Sequence, residues 1–166
     1  DNFANCNYIF LCAPVSYNTA YLKQLKNYLH ETCILTDVGS VKSSIHKEVI
    51  ALGIEEYFIG GHPMAGSEKS GFVNSKAMLI ENAYYIITPS EKIAQEKVDA
   101  YSKFVESLKA LPVVLSYEEH DYITGVISHL PHIIASTLVN FVKNSDDKRE
   151  LMKHLAAGGC KDITRI

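Results

Sequence analysis

The feature that most constrains the fold of this chain is a regular alternation of short apolar runs and amphipathic segments. Apolar runs of about four to eight residues are typical of strands that are covered on both faces, as in a parallel sheet. Segments with apolar residues at helical spacing follow several of these runs. This alternation predicts βαβ units with right-handed crossovers in a mainly parallel sheet. The predicted strands are residues 8–14, 33–40, 56–63, 84–89 and 112–116, and the predicted helices between them are 17–30, 41–52 and 91–111.

The pattern changes after the fifth predicted strand, because no further strand signal follows it. Residues 118–142 predict one long helix with a kink at Pro131, since proline removes a backbone donor. A second helix is predicted over 145–157, with Ser145 as its N-cap and the glycine pair 158–159 as its stop. We therefore predict an α/β part followed by an all-α part. The predicted domains cover residues 1–116 and 117–166.

Composition excludes several classes of protein. The 166 residues carry a formal charge of −3 and no run of Lys or Arg, so nucleic acid is not an expected partner. The apolar stretches fall far short of the roughly 20 residues that a membrane span needs. The polar start DNFANCNY lacks the basic segment of a signal peptide, so we expect a cytoplasmic protein without a membrane partner. The four cysteines have no C-x-x-C spacing and are interpreted as small buried thiols in a reducing compartment rather than as zinc ligands or disulfides.

Three predicted strands end in residues that suit a ligand site. They end at Pro14, at Asp37-Val38-Gly39-Ser40 and at Gly60-Gly61-His62-Pro63. In an open parallel sheet, ligands bind beyond the carboxyl ends of the strands, so these ends are expected to lie side by side. The glycines are expected to let a ligand approach the backbone closely.

His62 is the first candidate for proton chemistry at this edge. Pro63 restricts the backbone of His62, and an imidazole exchanges protons near neutral pH. The alternative interpretation is a histidine that only packs and hydrogen-bonds at the end of a strand.

Three further groups are candidates, each with a plainer interpretation. Ser40 belongs to the segment GSVKSS at the start of a predicted helix, whose N-terminal amides could hold an anion. The plainer interpretation is that Ser40 serves only as an N-cap. The segment is not a P-loop, because the G-x-x-x-x-G-K spacing is absent. His129 and His132 share one helix face. They are interpreted as the lining of a pocket, as a metal-binding pair near Asp121, or as one buried and one solvated histidine without a function. Arg165 either clamps a carboxylate or is a solvated surface residue.

Four segments carry a resemblance to a known family. DVGSVK, GGHPMAGSEKSGF, EEHDYITGVISHLPHIIASTLVN and LAAGGCKDITRI occur in this order. Their order and wording resemble the prephenate dehydrogenase family, whose members are also called arogenate or cyclohexadienyl dehydrogenases. The resemblance extends from about residue 8 to the last residue. The combination of four motifs makes it specific, whereas no single motif does.

The resemblance implies an oxidoreductase of tyrosine biosynthesis. Members of the family oxidise and decarboxylate prephenate with NAD+ or NADP+, which yields 4-hydroxyphenylpyruvate, CO2 and the reduced cofactor. The implied architecture is a Rossmann-like domain followed by a helical dimerisation domain. NAD is the expected cofactor with NADP as its alternative, a homodimer is the expected assembly, and no metal is implied.

The resemblance also assigns roles to individual residues. His62 matches the catalytic histidine, which accepts a hydrogen bond or the proton from the ring hydroxyl as hydride leaves the same carbon. Ser40 holds that hydroxyl and His62 near the nicotinamide, which Pro14 borders. Arg165 matches the arginine that pairs with a substrate carboxylate. The remaining implied substrate-binding residues are His129, His132 and Gly158, with His132 as the expected direct contact.

The chain departs from the family pattern at its start. It contains no G-x-G-x-x-G, and its first predicted strand resembles the family's fourth, so roughly 60–70 residues of a nucleotide-binding half are expected to be missing. The family also continues with further helices after the last motif. We therefore expect an interior piece of a longer enzyme, which alone binds NAD weakly and turns over little prephenate. Such a piece exposes a central strand as a new sheet edge.

Three other interpretations stay open at this point. The first is that the substrate is arogenate, since the sequence does not place the contacts that separate it from prephenate. The second is a non-catalytic ligand-binding or dimerisation module of the same fold. The third is a metal-dependent hydrolase that uses His62, His129 and His132. The sequence does not decide between NAD and NADP, and it does not show whether tyrosine inhibits the protein.

Overall fold

The computed structural model describes residues 3–66 and 71–165, apart from the Ala77 side chain. Two compact units divide the chain, Asp1–Asp121 and Tyr122–Ile166. The first, here called the α/β unit, contains a sheet with helices, and the second, the helical unit, contains helices only among its described residues. The predicted order of an α/β part before an all-α part is therefore confirmed. Residues 67–70, which belong to the segment GGHPMAGSEKSGF, lie outside the described residues.

Five strands form one sheet in the α/β unit. The first three strands, β1 Tyr8–Leu11, β2 Ile34–Asp37 and β3 Phe58–Pro63, are parallel, whereas β4 Tyr84–Pro89 runs antiparallel to β3, and β5 Leu111–Val114 runs parallel to β4. Three of the four strand pairs are parallel, so the sheet is mainly parallel as predicted, and the single antiparallel pair makes it mixed. The strands follow one another across the sheet in chain order.

The reversal at β4 follows from the connection that precedes it. A parallel neighbour needs a crossover, usually a helix, that carries the chain back along a face of the sheet. Between β3 and β4 the described residues form only short 3-10 turns, at Phe72–Asn74 and Ala77–Ile80. The chain therefore returns directly beside β3 in the opposite direction, with Ile86 opposite His62.

Helices cover both faces of the sheet, and consecutive strand residues divide between two apolar cores. Leu35 and Phe58 pack in the core beneath α1 and α2, whereas Ile34 and Ile59 pack in the core beneath α3. This double burial explains the continuous apolar runs of the central strands. The helices of this unit are α1 Val15–Leu25 and α2 Ser43–Leu52, then α3 Gln95–Ser107 and the start of α4 Tyr117–Thr124, with 3-10 turns at Lys26–Tyr28 and Glu55–Tyr57.

All four cysteines are free thiols. Cys33 is buried and Cys6 and Cys160 are half-buried, but Cys12 is exposed, because it lies just after the last residue of β1 at the open edge of the sheet.

The helical unit begins inside a long helix. α4 continues through a π-helical segment, Gly125–His129, into α5, Leu130–Ser145. Pro131 lacks an N–H, and the wider turn just before it accommodates the missing hydrogen bond. The long helix predicted over 118–142 is therefore confirmed, and the irregularity at the proline takes the form of a π segment.

This long helix is also markedly apolar. Within its 29 residues, Tyr117–Ser145, an 18-residue window reaches a mean hydropathy of 1.3, so length and composition alone would allow this helix to cross a membrane. Only 6% of its most apolar window is buried. The uninterrupted apolar stretches are short, as expected, but a longer window of this helix is apolar on average because polar residues such as Ser128 are scattered among apolar ones.

The end of the chain differs from the prediction at two helix boundaries. Ser145 is the last residue of α5, and Asp146 caps the following helix instead, since its carboxylate accepts the amides of Met152 and Lys153 at 3.0 Å. Gly158 begins a helix rather than stopping one, because the extended residue before it has already broken the helical path. The two short helices are α6 Leu151–Leu155 and α7 Gly158–Thr164.

Candidate active site

The loops that follow β1, β2 and β3 meet at one edge of the sheet. Because these strands are parallel neighbours, Pro14, Ser40 and His62 lie at or beyond carboxyl ends that share an edge. A Cβ added at Gly39 would lie 2.8 Å from Val15 Cγ2, so the loop after β2 packs against the start of α1. The structure thus groups the three strand ends as the sequence predicts.

Ser40 lies on the loop between β2 and α2 and is exposed. α2 begins at Ser43, and Lys42 occupies its N-cap position without a side-chain cap. The interpretation of Ser40 as an N-cap is therefore wrong, because the helix starts later than its apolar spacing suggested.

His62 is half-buried near the end of β3 and is held from the side by a second imidazole. Its Nδ1 lies 2.8 Å from Nε2 of His120, and the two rings meet edge to face with centroids 5.0 Å apart. His120 belongs to α4 and is fully buried. A partly buried hydrogen bond of this length restricts the rotation of the His62 ring.

Asp121 binds the other ring nitrogen of His120. Its Oδ1 lies 2.8 Å from His120 Nδ1 and also accepts the amide of Lys42 at 2.8 Å, while Oδ2 accepts the amide of Ser43 at 2.8 Å. Burial raises the pKa of Asp121, but hydrogen bonds from Ser43, Lys42 and His120 outweigh it and bring the pKa to about 2. Asp121 therefore stays ionised at neutral pH and caps the start of α2 from a distant helix.

His120 and Asp121 were not among the residues singled out for the site by sequence reasoning. Asp121 was considered only as a carboxylate near the later histidines. The local signal is the pair His-Asp at the start of a helix, which is common and has no distinctive spacing. Only the fold brings this pair against β3 and α2.

A buried ion pair between Lys42 and Asp37 holds the backbone of the residue before His62. The Lys42 side chain is fully buried, and its Nζ contacts Asp37 Oδ2 and donates to the Gly61 carbonyl at 2.7 Å. Asp37 also accepts the amides of Gly39 at 2.9 Å and Gly61 at 3.3 Å. Burial lowers the pKa of Lys42, while the attraction of Asp37 opposes that change. The pair ties the end of β2 to the residue that precedes His62.

The glycine pair before His62 makes room for this polar layer rather than for a ligand. A Cβ at Gly61 would lie 2.6 Å from the Tyr85 hydroxyl and 2.7 Å from the Asp37 carbonyl. A Cβ at Gly60 would lie 3.0 Å from His46 Nε2 and closer still to Thr88 Oγ1. Both glycines are buried, so the expectation that they admit a ligand to the backbone is wrong. Their role is close packing between strands and side chains.

A cavity of about 550 Å³ opens beside β1 and α1, next to the predicted nicotinamide border at Pro14. Cys12 and Ala13, the two residues before Pro14, belong to its lining. The other lining residues are mainly apolar or aromatic, among them Ile9, Phe10, Tyr21 and Tyr28.

In the helical unit, His132 and Thr164 line a cavity of about 220 Å³ with four other residues. Arg165 directly follows Thr164 at the end of α7 and is exposed, with no ion pair to a described residue. His129, in the π segment, and Gly158, at the start of α7, are exposed and do not line this cavity. The other lining residues are Ala135, Ser136, Val139 and Asn140.

No group of three His, Cys, Asp or Glu side chains among residues 3–66 and 71–165 is arranged to hold a metal ion. The described residues thus offer no support for a metal-dependent hydrolase built on the predicted histidines.

Two family models match the chain and together account for nearly all of it. Residues 1–114 match the model described as prephenate dehydrogenase, nucleotide-binding domain. Residues 116–166 match the model described as prephenate dehydrogenase, dimerization domain.

Relatives of known name are similar along the same length. The prephenate dehydrogenase of Bacillus subtilis is 40% identical over 160 residues, which is 95% of this chain and 43% of that protein. The prephenate dehydrogenase of Lactococcus lactis subsp. cremoris is 42% identical over 161 residues, which is 95% of this chain and 44% of that protein. The chain therefore spans less than half the length of these two relatives.

Solved structures show the same fold. Prephenate dehydrogenase from A. aeolicus, in complex with hydroxyphenyl propionate and NAD+, superposes with a TM-score of 0.86 at 34% identity, covering 96% of this chain and 55% of that one. Synechocystis arogenate dehydrogenase superposes with a TM-score of 0.87 at 31% identity, covering 99% of this chain and 59% of that one. The Rossmann-like character predicted for the α/β part is thereby confirmed.

Proposed function

Because the chain belongs to the prephenate dehydrogenase family, we propose that it supplies the catalytic and substrate-binding residues for NAD-dependent oxidative decarboxylation of prephenate. The product is 4-hydroxyphenylpyruvate, and the pathway is tyrosine biosynthesis. The observation that carries the proposal is His62, a half-buried imidazole fixed at the carboxyl edge of the sheet by a 2.8 Å hydrogen bond to buried His120. Arogenate is the second candidate substrate, because a solved relative is an arogenate dehydrogenase.

His62 acts as the base. It accepts the proton of the ring hydroxyl while the hydrogen on the same carbon leaves as hydride, so that a carbonyl forms there. The bond to the ring carboxylate then breaks, and its electron pair restores an aromatic ring as CO2 departs. The proton held by His62 returns to the ring oxygen, which leaves a phenol and a neutral imidazole.

Ser40 and Pro14 are assigned to the nicotinamide end of the cofactor. Both are exposed at the carboxyl edge of the sheet, and the cavity beside Ala13 offers space for a flat ring. Bound NAD+ accepts the hydride. The chain contains no G-x-G-x-x-G, so its residues fit the nicotinamide end and not the pyrophosphate. NADP remains the alternative cofactor, since no residue of the chain is assigned to the ribose.

Substrate recognition is assigned to the helical unit. Arg165 pairs with a substrate carboxylate, because a guanidinium binds carboxylates in bidentate fashion and this one is exposed with no acidic partner among the described residues. His132 contacts the substrate from its cavity wall, with Thr164 beside it. His129 and Gly158 are assigned supporting contacts from the family motif alone.

We also propose that a second copy of the chain covers the helical unit. The matching family model is a dimerization domain, and large apolar side chains are exposed there, among them Ile133 at 63% and Phe141 at 68%. Such exposure is unusual for a monomer and typical of an interface. A membrane is the less favoured cover, because Ser136 and Asn140 of the same helix line a polar cavity. We assign the protein to the cytoplasm, where free thiols persist.

The test uses a completed chain, in which the parts of the Bacillus subtilis enzyme that the match leaves uncovered are joined to these 166 residues. Oxidation of prephenate and arogenate is measured with NAD+ and with NADP+. We expect turnover of prephenate with NAD+ by the completed chain and little turnover by the 166-residue chain. Exclusive turnover of arogenate would favour the second substrate. Binding of both ligands without any turnover would favour a non-catalytic module.

A further inference from the structure

We propose that Asp121 and His120 form a positioning relay that holds His62 in one tautomer, with the proton on Nδ1 and the lone pair on Nε2. This inference rests on the proposed function, because a fixed tautomer matters only if His62 acts as a base. It concerns two residues that touch neither substrate nor cofactor in the proposal. Both are therefore positioning residues.

The first step concerns Asp121. Its two oxygens accept backbone amides from the start of α2, at 2.8 Å each. Backbone amides only donate, so they require a carboxylate with lone pairs on both oxygens. The same carboxylate is held ionised by these bonds. Asp121 is therefore an acceptor toward every neighbour, including His120.

The second step concerns His120. Its Nδ1 lies 2.8 Å from Asp121 Oδ1, and a contact with an acceptor requires a proton on that nitrogen. In a neutral ring, the other nitrogen, Nε2, then carries the lone pair. His120 is fully buried, so its ring nitrogens have only neighbouring protein groups as partners.

The third step concerns His62. Its Nδ1 lies 2.8 Å from the His120 Nε2 lone pair, so the His62 Nδ1 is the donor in this pair. The neutral His62 ring then carries its lone pair on Nε2. This is the nitrogen that a base needs for proton uptake, and the relay keeps it unprotonated although a free imidazole favours the opposite tautomer.

The relay has a second effect once His62 has taken the proton. The resulting imidazolium still donates through Nδ1 to His120, and the negative charge of Asp121 stabilises it through the intervening ring. The other charged group close to Asp121 is the Lys42 ammonium, which Asp37 neutralises in its own ion pair. The relay therefore favours both the tautomer before proton uptake and the charge after it.

The first measurement reads the tautomer directly. Nitrogen-15 NMR of the 166-residue chain, at a pH where the rings are neutral, distinguishes protonated from unprotonated ring nitrogens. We expect His62 and His120 both to carry the proton on Nδ1. His30 is the internal control, because its Nε2 lies 3.1 Å from the Cys6 carbonyl and must carry the proton there. A His62 signal with the proton on Nε2 would overturn the proposal.

The second measurement compares two variants of the completed chain. In His120→Gln, a side-chain carbonyl can still accept from His62, whereas His120→Phe keeps the ring shape and removes the acceptor. We expect His120→Phe to lower kcat for prephenate about tenfold to a hundredfold with little change in KM, and His120→Gln to retain most of the rate. In His120→Phe the His62 proton should move to Nε2 in the NMR spectrum.

The two proposals fail in distinguishable ways. If the completed chain oxidises neither substrate but the tautomers are as expected, the proposed function is wrong and the relay survives as a structural feature. If the completed chain is active and His120→Phe keeps the full rate and the Nδ1 tautomer, the relay is wrong and the function stands. Should His120→Phe unfold, the wild-type spectrum still decides the tautomer.

Discussion

The α/β unit and the helical unit differ in which side chains they bury and which they leave exposed. In the α/β unit, Lys42, His46 and His120 are buried, and each has hydrogen-bond partners inside the unit. In the helical unit, Thr124 and Ala135 are the buried residues among those described, and large apolar side chains are exposed instead.

This difference indicates which unit is self-sufficient. Buried polar groups cost free energy unless they are hydrogen-bonded, and the polar layer under His62 meets that condition without a partner chain. Exposed apolar side chains contribute to stability only after they are covered. The α/β unit therefore sets the geometry of its own polar layer, whereas the exposed apolar side chains of the helical unit fit the proposed cover by a second copy. Four predictions test this contrast.

The largest expected effect is on catalysis in the α/β unit. His62→Asn in the completed chain should lower kcat for prephenate about a hundredfold to ten-thousandfold, because the general base is lost. The thermal unfolding temperature should change little, since His62 is only half-buried. His154→Asn, an exposed residue of α6, is the control and should keep the wild-type rate. A His62→Asn variant with the wild-type rate would remove the proposed mechanism.

The second prediction concerns the ion pair beneath the site. Lys42→Met should lower the free energy of unfolding by about 3–5 kcal/mol, because it leaves the Asp37 carboxylate buried without its partner. The double variant Lys42→Met with Asp37→Asn removes both charges and should recover much of this loss. Urea unfolding followed by circular dichroism measures both. A loss below about 1 kcal/mol for the single variant would contradict a self-sufficient polar layer.

The third prediction is a pH dependence of stability. Burial, helped by the nearby Lys42 charge, lowers the pKa of His46 from 6.5 to about 4. The unfolded chain thus binds more protons than the folded one between these values, so stability is lost as pH falls from 6.5 to 4. The loss should reach about 3 kcal/mol and should disappear in His46→Gln.

Asp121 affects stability in a different pH range from His46, so the two contributions can be separated. Asp121 has its pKa lowered to about 2, so its contribution is complete above 3.8 and is lost only below that value. Equal slopes for wild type and His46→Gln between pH 4 and pH 6.5 would show that His46 is not the group responsible.

The smallest expected effect concerns the helical unit. Phe141→Gln should weaken the proposed dimer about tenfold. The Phe141 side chain is exposed in the single chain, and the second copy would bury it. Sedimentation equilibrium measures the dissociation constant. Lys143→Gln, two residues away and also exposed, should leave it unchanged. A wild-type chain that remains monomeric at high concentration would show that a second copy does not cover this unit.

Much of the fold was predictable because its signals are local. The strand at 84–89 was predicted with its observed bounds, and the alternation of apolar runs with helices identified the α/β part. His62 was found because Gly-Gly-His-Pro at a strand end is a distinctive local pattern. The direction of β4 was missed, because it depends on the path of the connection rather than on the composition of the strand.

Local sequence patterns did not predict which side chains surround His62. His62 and His120 are 58 residues apart in the chain, and Asp121 and the Lys42 amide are 79 apart. A lysine in the first turn of a predicted helix is usually exposed, so nothing in its spacing indicated that Lys42 is buried. Gly60 and Gly61 were noticed, but the side chains that they accommodate come from other strands and helices.

From the order of its residues alone, this chain reveals its class of fold, its family and the histidine proposed as its general base. Periodicity and short motifs record such properties, because each depends on neighbours within a few turns of the chain. The tertiary structure decided which side chains hold that imidazole in place, and the proposed tautomer follows from them. Those outcomes depend on contacts that form only after strands and helices pack, since burial and hydrogen bonding across the fold determine the state of each polar group.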